Sequence, residues 1–214
     1  MKDVKAVAQK DAEVWKGSPY YAIAEQWIHV FWGENSPFLK LFQRMDLETL
    51  VELACGHGRH GEMIGRRYDN LVGSLVCMDV LPENIEFARE RLRPFPKIRV
   101  ELNDGVGFTG IADASVTGVF CYDAMVHFHA DVVGAYLADT HRILKAGGRA
   151  LFHHSNYTEN PDRSFGQNPE ARAYMTPAIF KTLADQAGLV ILEDQTIDWG
   201  GMPALDRVTL LEKP

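Results

Sequence analysis

Short, nearly continuous apolar runs alternate along this chain with stretches in which apolar residues recur every three or four positions. Runs of the first kind at 49–54, 74–79, 98–102, 116–122 and 149–154 predict five strands. The second rhythm at 59–68, 82–92 and 131–144 predicts helices, with Ile85, Ala88 and Leu92 on one face and Asp131 as the expected cap of the third. Gly147-Gly148 is expected to end that third helix. Thr176-Pro177 opens another helix that closes at Gly188, and 190–198 and 207–211 predict a final pair of strands. Residues 5–45 read as helical and rich in aromatics, punctuated by Ser18-Pro19 and Ser36-Pro37, each fitting a cap followed by proline. Residues 156–175 are polar and loop-like.

Strands alternating with helices predict a doubly wound α/β domain whose mostly parallel sheet is covered on both faces. The domain is expected to span 1–214, with a helical lid at 1–45, a cofactor-binding core at 46–155, a lid insertion at 156–176 and a closing helix and strand pair at 177–214. Such sheets bind ligands beyond the carboxyl ends of the strands, where the strand order reverses. That rule selects Cys55 to Gly61, Asp79, Tyr122 to His129 and His153 to Asn156.

Composition narrows the function. Hydrophobic residues make up 46% and charged residues 24%, ordinary for a globular chain. The net charge of -7 argues against nucleic acid as a partner, and Arg89, Arg91, Arg93 and Lys97 read as a solvated helix end. Three isolated cysteines, no apolar leader and no membrane-length run point to the cytoplasm and to no membrane partner. A homodimer stays open.

Cys55-Gly-His-Gly-Arg-His-Gly61 follows a strand and opens a helix, and Asp79 comes 21 residues after Gly58. Taken literally this is the dinucleotide fingerprint, so a nicotinamide enzyme is one reading. Against it, Glu52 puts a carboxylate where a pyrophosphate would be repelled. The chain also closes with two consecutive strands in place of a second mononucleotide-binding half.

Val51-Glu-Leu-Ala-Cys-Gly-His-Gly58 resembles motif I of the class I S-adenosylmethionine-dependent methyltransferases. Met78-Asp79 resembles their motif II, and Ile143-Leu-Lys-Ala-Gly-Gly148 their segment before strand five. The resemblance covers about 48–155. It implies a seven-stranded sheet of order 3-2-1-4-5-7-6 with strand seven antiparallel, and S-adenosyl-L-methionine as methyl donor. It departs from the family pattern at Ala146, where proline is common, and at Thr117, where aspartate is common. By resemblance, Gly56 and Gly58 line the cofactor with Ala54 and Val80 beside them, and Glu52 lies near its ammonium. Asp79 would hold the ribose hydroxyls, and Asn103, Asp104 and Gly105 would border the adenine, with Asp104 on its amino group. Tyr122 would border the methyl end and Tyr21 would close over it. Taken as bare motifs, Asp79 could instead cap a helix, and Asn-Asp-Gly is good turn chemistry.

His127, His129, His141, His153 and His154 gather around the ends of strands four and five. A neutral imidazole suits removal of a proton from a hydroxyl. His127 or His154 is therefore the expected base, with Asp123 orienting it or binding substrate. Strand alternation sends His153 and His154 to opposite faces, which is the ground for preferring His154, and leaves open which face is inward. The rate should fall below about pH 6.5, where a free imidazole protonates. No compact ligand motif is present, so no metal is expected. Cys121-Tyr-Asp-Ala-Met125 lacks the platform used for flipped bases, which leaves a small-molecule acceptor. A hydroxyl is favoured; N-methylation of an amine, or a partner subunit that binds S-adenosylmethionine without turnover, is the alternative.

Overall fold

A computed structural model describes residues 3–214. Four short helices come first: α1 (Val4–Glu13), α2 (Tyr20–Ala24), α3 (Ile28–Trp32) and α4 (Pro37–Phe42). Then follow β1 (Thr49–Leu53), α5 (Arg59–Arg67), β2 (Ser74–Asp79), α6 (Pro82–Leu92), β3 (Ile98–Leu102) and β4 (Val116–Cys121). The chain closes with α7 (Ala130–Ile143), β5 (Leu144–Ser155), α8 (Pro177–Gln186), β6 (Val190–Trp199) and β7 (Met202–Glu212). The strands form one sheet of order 3-2-1-4-5-7-6. β1 to β5 run parallel, and β7 runs antiparallel to both β5 and β6. This is the predicted topology.

The local signals mostly act as expected. Ser36 Oγ accepts the Leu39 N–H at 3.4 Å and Thr176 Oγ1 the Ile179 N–H at 3.1 Å, so each Ser/Thr-Pro pair caps its helix. Three details differ. Ser18 accepts from Tyr20 N–H within a turn and caps no helix. α7 begins at Ala130, and His129 Nδ1 accepts the Asp131 N–H, so His129 and not Asp131 is the cap. Leu144 to Gly148 is paired and not a turn: Leu144 lies opposite Val116, and Gly147 N–H donates to the Lys213 carbonyl at 2.7 Å. At Gly147 φ is +74°, which lets β5 start a full turn's length before Arg149.

Adjacent residues of the sheet point to opposite faces, and each face has its own core. Val51, Val119 and Phe152 pack under α7 and α8 with Ala8 of α1. Leu50, Phe120, Leu151 and Leu210 pack against Phe31, Trp32, Phe38 and Phe42 from α3 and α4, and against Ile64 and Ile85 of α5 and α6. β4 is buried at every position, as befits a central strand covered on both sides. The aromatic helices α3 and α4 therefore cover one face of the sheet, over β1, β4, β5 and β7. No helix among the described residues is long and apolar enough to cross a membrane.

Phe120 is fully buried between Phe38 and Phe42. Phe120→Ala should cost about 3–5 kcal/mol in urea unfolding. A loss below about 1 kcal/mol would mean that the aromatic wall is not packed as described.

Candidate active site

Between β1 and α5 the backbone turns through three positive φ values: +56° at Ala54, +53° at Gly56 and +79° at Gly58. A Cβ on Gly58 would come 3.0 Å from Leu92 of α6, and one on Gly56 would come 3.0 Å from the Tyr21 ring. The loop is thus clamped from below by α6 and covered from above by α2. Asp79 fixes its height: one carboxylate oxygen accepts the Gly56 N–H at 2.9 Å, and the other accepts the Leu81 N–H and Asn84 Nδ2–H, both at 3.0 Å. Burial raises its pKa, against the pull of those donors. Tyr21 stacks on His57 at 4.3 Å and its hydroxyl accepts from Asn84 at 2.8 Å. Burial pushes that phenol up to about 12.

Ala54, Gly56, Asp79, Val80, Gly105, Tyr122, Asp123, His127 and Tyr21 all line one cleft at this end of the sheet. Gly58 lies in the same loop, turned toward α6. Three expected residues lie elsewhere. Glu52 is sealed beneath the loop, where it accepts from the Cys77 thiol at 3.2 Å; burial pushes its pKa to about 8. It lies under the site and is not a lining residue. Asp104 caps Val106 N–H and pairs with Lys5 of α1 at 3.3 Å, outside the cleft; the placement on adenine is corrected. Asn103 is buried and spends its side-chain oxygen on Gly105 N–H and the Tyr136 hydroxyl.

The far end of the cleft is a polar cluster. Asp123 follows β4 with φ +60°, a strained value for a residue other than glycine. Its Oδ2 accepts from the Tyr20 hydroxyl at 2.7 Å and from Arg59 at 2.6 Å. Arg59 also donates to the Ala24 carbonyl at 2.5 Å, so one guanidinium ties the lid to β4. Asp123 Oδ1 is buried without a partner. The backbone N–H of Asp123 donates to His153 Nδ1 at 3.1 Å.

His127 stands beside it, its ring 4.5 Å from Trp15. Its Nδ1 lies 2.7 Å from the Ala171 carbonyl, which can only accept, so Nδ1 carries the proton. Nε2 is left as a lone pair with no hydrogen-bond partner among the described residues. Burial lowers its pKa to about 4.

His154 is corrected. It lies on the opposite face under α8, its ring 3.7 Å from Phe180 and parallel to it, with hydrogen bonds to Thr209 and the Ser155 carbonyl. Alternation along β5 turns His153 to the other face, where it is buried beside Tyr122 and Trp199 and touches the site only through the Asp123 N–H. Burial lowers the His154 pKa to about 4.

Arg59 and His60, inside the selected Cys55 to Gly61 loop but given no role there, also line the cleft, as do Asp11 of α1 and Trp15 just beyond it. Arg59 had a signal, being the first residue after the glycines at a helix start. His60 receives the Trp32 indole N–H on Nδ1 at 2.9 Å, which leaves an Nε2–H buried without an acceptor. Among the described residues no cluster of three or more His, Cys, Asp or Glu is placed to hold a metal.

A seven-stranded sheet of this order, with its cleft over a glycine loop and an acid at the end of β2, is the class I methyltransferase fold. Residues 50–148 match the family model described as "Methyltransferase domain". No curated protein matches the chain in sequence. Similar solved structures include the geranyl diphosphate C-methyltransferase of Streptomyces coelicolor in complex with Mg2+, geranyl diphosphate and S-adenosyl-L-homocysteine (13% identity, 97% of this chain and 98% of that one, TM-score 0.71). A chain from the complex between the Haloferax volcanii Trm112 methyltransferase activator and its assigned methyltransferase is similar at 20% identity, over 95% and 97%, with TM-score 0.70. The [4+2]-cyclase SpnF is similar at 12% identity, over 82% and 79%, with TM-score 0.65. Residues 50–148 thus match a methyltransferase domain, and the chain has the fold of the class I S-adenosylmethionine-dependent methyltransferases.

The residues fit that cofactor. The loop is bare backbone where a ligand must come close, and Asp79 still has lone pairs beyond its three donors, suited to a ribose diol. Asp79→Ala should weaken S-adenosylhomocysteine by about 10- to 100-fold in titration calorimetry, the worth of one charged hydrogen bond at about 1.5–3 kcal/mol. Unchanged affinity would remove Asp79 from the site.

His127 and His154 also set a pH dependence of stability. Both stay neutral in the fold down to about pH 4, whereas unfolded imidazoles titrate near 6.5. Between these values the unfolded chain binds more protons. Their contribution is therefore full above about 6.5 and is lost as pH falls toward 4. The melting temperature should drop through that window, and less steeply in His154→Gln. A flat profile there would show that the two rings titrate in the fold as they do in the unfolded chain.

Proposed function

We propose that this enzyme methylates a hydroxyl of a small molecule, with His127 as general base. The observation that carries the reading is the fixed tautomer of His127. The Ala171 carbonyl takes the Nδ1 proton, and Nε2 is left as a neutral, unpartnered acceptor in the cleft wall. S-adenosylmethionine, when bound, supplies a methyl group on a positively charged sulfur. The protein's own part is then to hold the acceptor oxygen in line and to accept its proton.

Positioning is the larger share, and oriented reactants can gain about 7–11 kcal/mol in favourable systems. The walls that do this are aromatic: Trp15, Tyr20, Tyr122 and Phe128 leave few orientations for a small acceptor. A base adds a factor of about 10²–10⁴. Charge chemistry supports a neutral acceptor. Arg59 is the one arginine or lysine among the described cleft residues, and it is committed to Asp123 and Ala24. A phosphorylated substrate such as geranyl diphosphate, bound by the Streptomyces coelicolor enzyme, would find no free cation here.

His127→Asn should lower turnover about 10²-fold or more while S-adenosylhomocysteine affinity stays near wild type. The depressed pKa moves the acid limb of the rate profile from the 6.5 of a free imidazole to about 4, so activity should hold through pH 5 to 6. Near-wild-type turnover in His127→Asn would overturn the base. An amine acceptor, which needs none, would then be the reading.

A further inference from the structure

We infer that the acceptor is a polyol, held by a second hydroxyl on Asp123 Oδ1 while the reacting hydroxyl meets His127 Nε2. The inference rests on the hydroxyl reading above and names the substrate class of the same site.

Asp123 is held in place by a costly device. Its backbone N–H enters His153 Nδ1, so His153 carries its proton on Nε2 and donates it to Asp206 at 2.9 Å. Asp206 also receives two Arg172 bonds, at 2.8 and 2.6 Å. His153, Asp206 and Arg172 are all buried. Burial works against the Asp206 charge, but His153 and Arg172 hold its pKa down to about 2. Sequestering such charges is expensive and is a poor way to gain stability alone. What this set does at the cleft is keep Asp123 in its left-handed conformation, with its carboxylate at the Tyr20–Arg59 junction. Glu170 and Ala171, next to Arg172, are themselves left-handed at φ +51° and +54°. The same turn supplies the carbonyl that sets the His127 tautomer. One strained turn of the insertion thus braces both acceptors.

Each of the two ends in an unused lone pair. Oδ2 of Asp123 has two donors and Oδ1 has none, although a buried unsatisfied oxygen costs about 1–3 kcal/mol. Nε2 of His127 also lacks a protein donor. The two share one wall, since Trp15 meets Tyr20 at 5.7 Å and His127 at 4.5 Å, and Tyr20 is bonded to Asp123. Arg59 already neutralises Asp123, so its free oxygen matches a neutral O–H and does not demand an ammonium. The unpartnered Nε2–H of His60 adds a donor in the same cleft lining. A hydroxyl both donates and accepts, so a polyol answers all three unpaired groups.

The test gives the full-length enzyme and S-adenosylmethionine a panel of inositols, methyl glycosides and catechol, each beside its counterpart lacking one neighbouring hydroxyl. Methyl transfer is read by S-adenosylhomocysteine release, and binding by ligand-observed NMR. At least one polyol should bind and be methylated, with its deoxy counterpart poorer by tenfold or more in kcat/KM. In Asp123→Asn that discrimination should collapse while S-adenosylhomocysteine affinity is kept, which also reports a folded protein. Asn tolerates the left-handed backbone. Should the variant fail to fold, the wild-type pairs decide alone. Equal use of polyol and deoxy partners, no binding by any polyol, or an equal loss of S-adenosylhomocysteine in Asp123→Asn overturns the inference. Discrimination that persists together with an active His127→Asn would sink the base and leave the polyol site standing.

Discussion

The chemistry of this protein depends on the crevice beyond the carboxyl ends of β1 and β4, the paired strands at which the sheet reverses its order. A parallel strand leaves its carboxyl end pointing at whatever loop follows. On either side of a reversal, the two loops part in opposite directions and a crevice opens. Into that crevice fall the glycine loop after β1, Asp79 after β2, and Tyr122 and Asp123 after β4. The Asp79 contact to Gly56 N–H ties two of these ends together, so the loop and the acid behave as one unit.

The second feature of note is the use made of the non-core additions. α1 and α2 are not a decoration on the sheet. Tyr21 lies on Gly56, Tyr20 bonds Asp123, Ala24 receives Arg59, and Gly17 N–H donates to Glu83 at 2.7 Å. The insertion after β5 reaches the same cleft from behind, through Ala171 and Arg172. Methyl transfer needs a dry, confined acceptor more than it needs strong acids or bases, and these additions are what confine it.

Likeness of fold says little about the acceptor. The similar structures include a C-methyltransferase and a [4+2]-cyclase, so one scaffold carries unlike reactions. What separates this chain is local charge and hydrogen bonding. Its one cleft guanidinium is internally paired, and its free groups are two acceptors and one imidazole N–H. These are properties of the ends of β4 and β5 and of the turn at Glu170–Ala171.

Much of the fold was legible in the order of residues. Apolar runs mark strands because a buried parallel strand must be apolar on both faces, and that signal is local. Gly56, Gly58 and Asp79 were legible for a similar reason, as backbone conformation and a loop-end acid are set within a few residues. The boundaries that moved were those where a distant partner decides: Leu144 to Gly148 became strand because Val116 and Lys213 bond it. The site's polar end was legible only in part: Asp123 and His127 line the cleft as expected, while His154 does not. Which of His153 and His154 packs under α8 and which bonds the Asp123 N–H depends on the face of β5 that α8 covers. Asp104 was drawn away by Lys5, 99 residues distant, and Glu52 was sealed by α5 and the loop. The sequence by itself determined the strands and the glycine loop, because those rest on short-range sterics and periodicity, and its motifs carried the resemblance that names the class of chemistry. Only the tertiary structure decided which imidazole and which carboxylates line the cleft, because burial and partners across the fold set their reach.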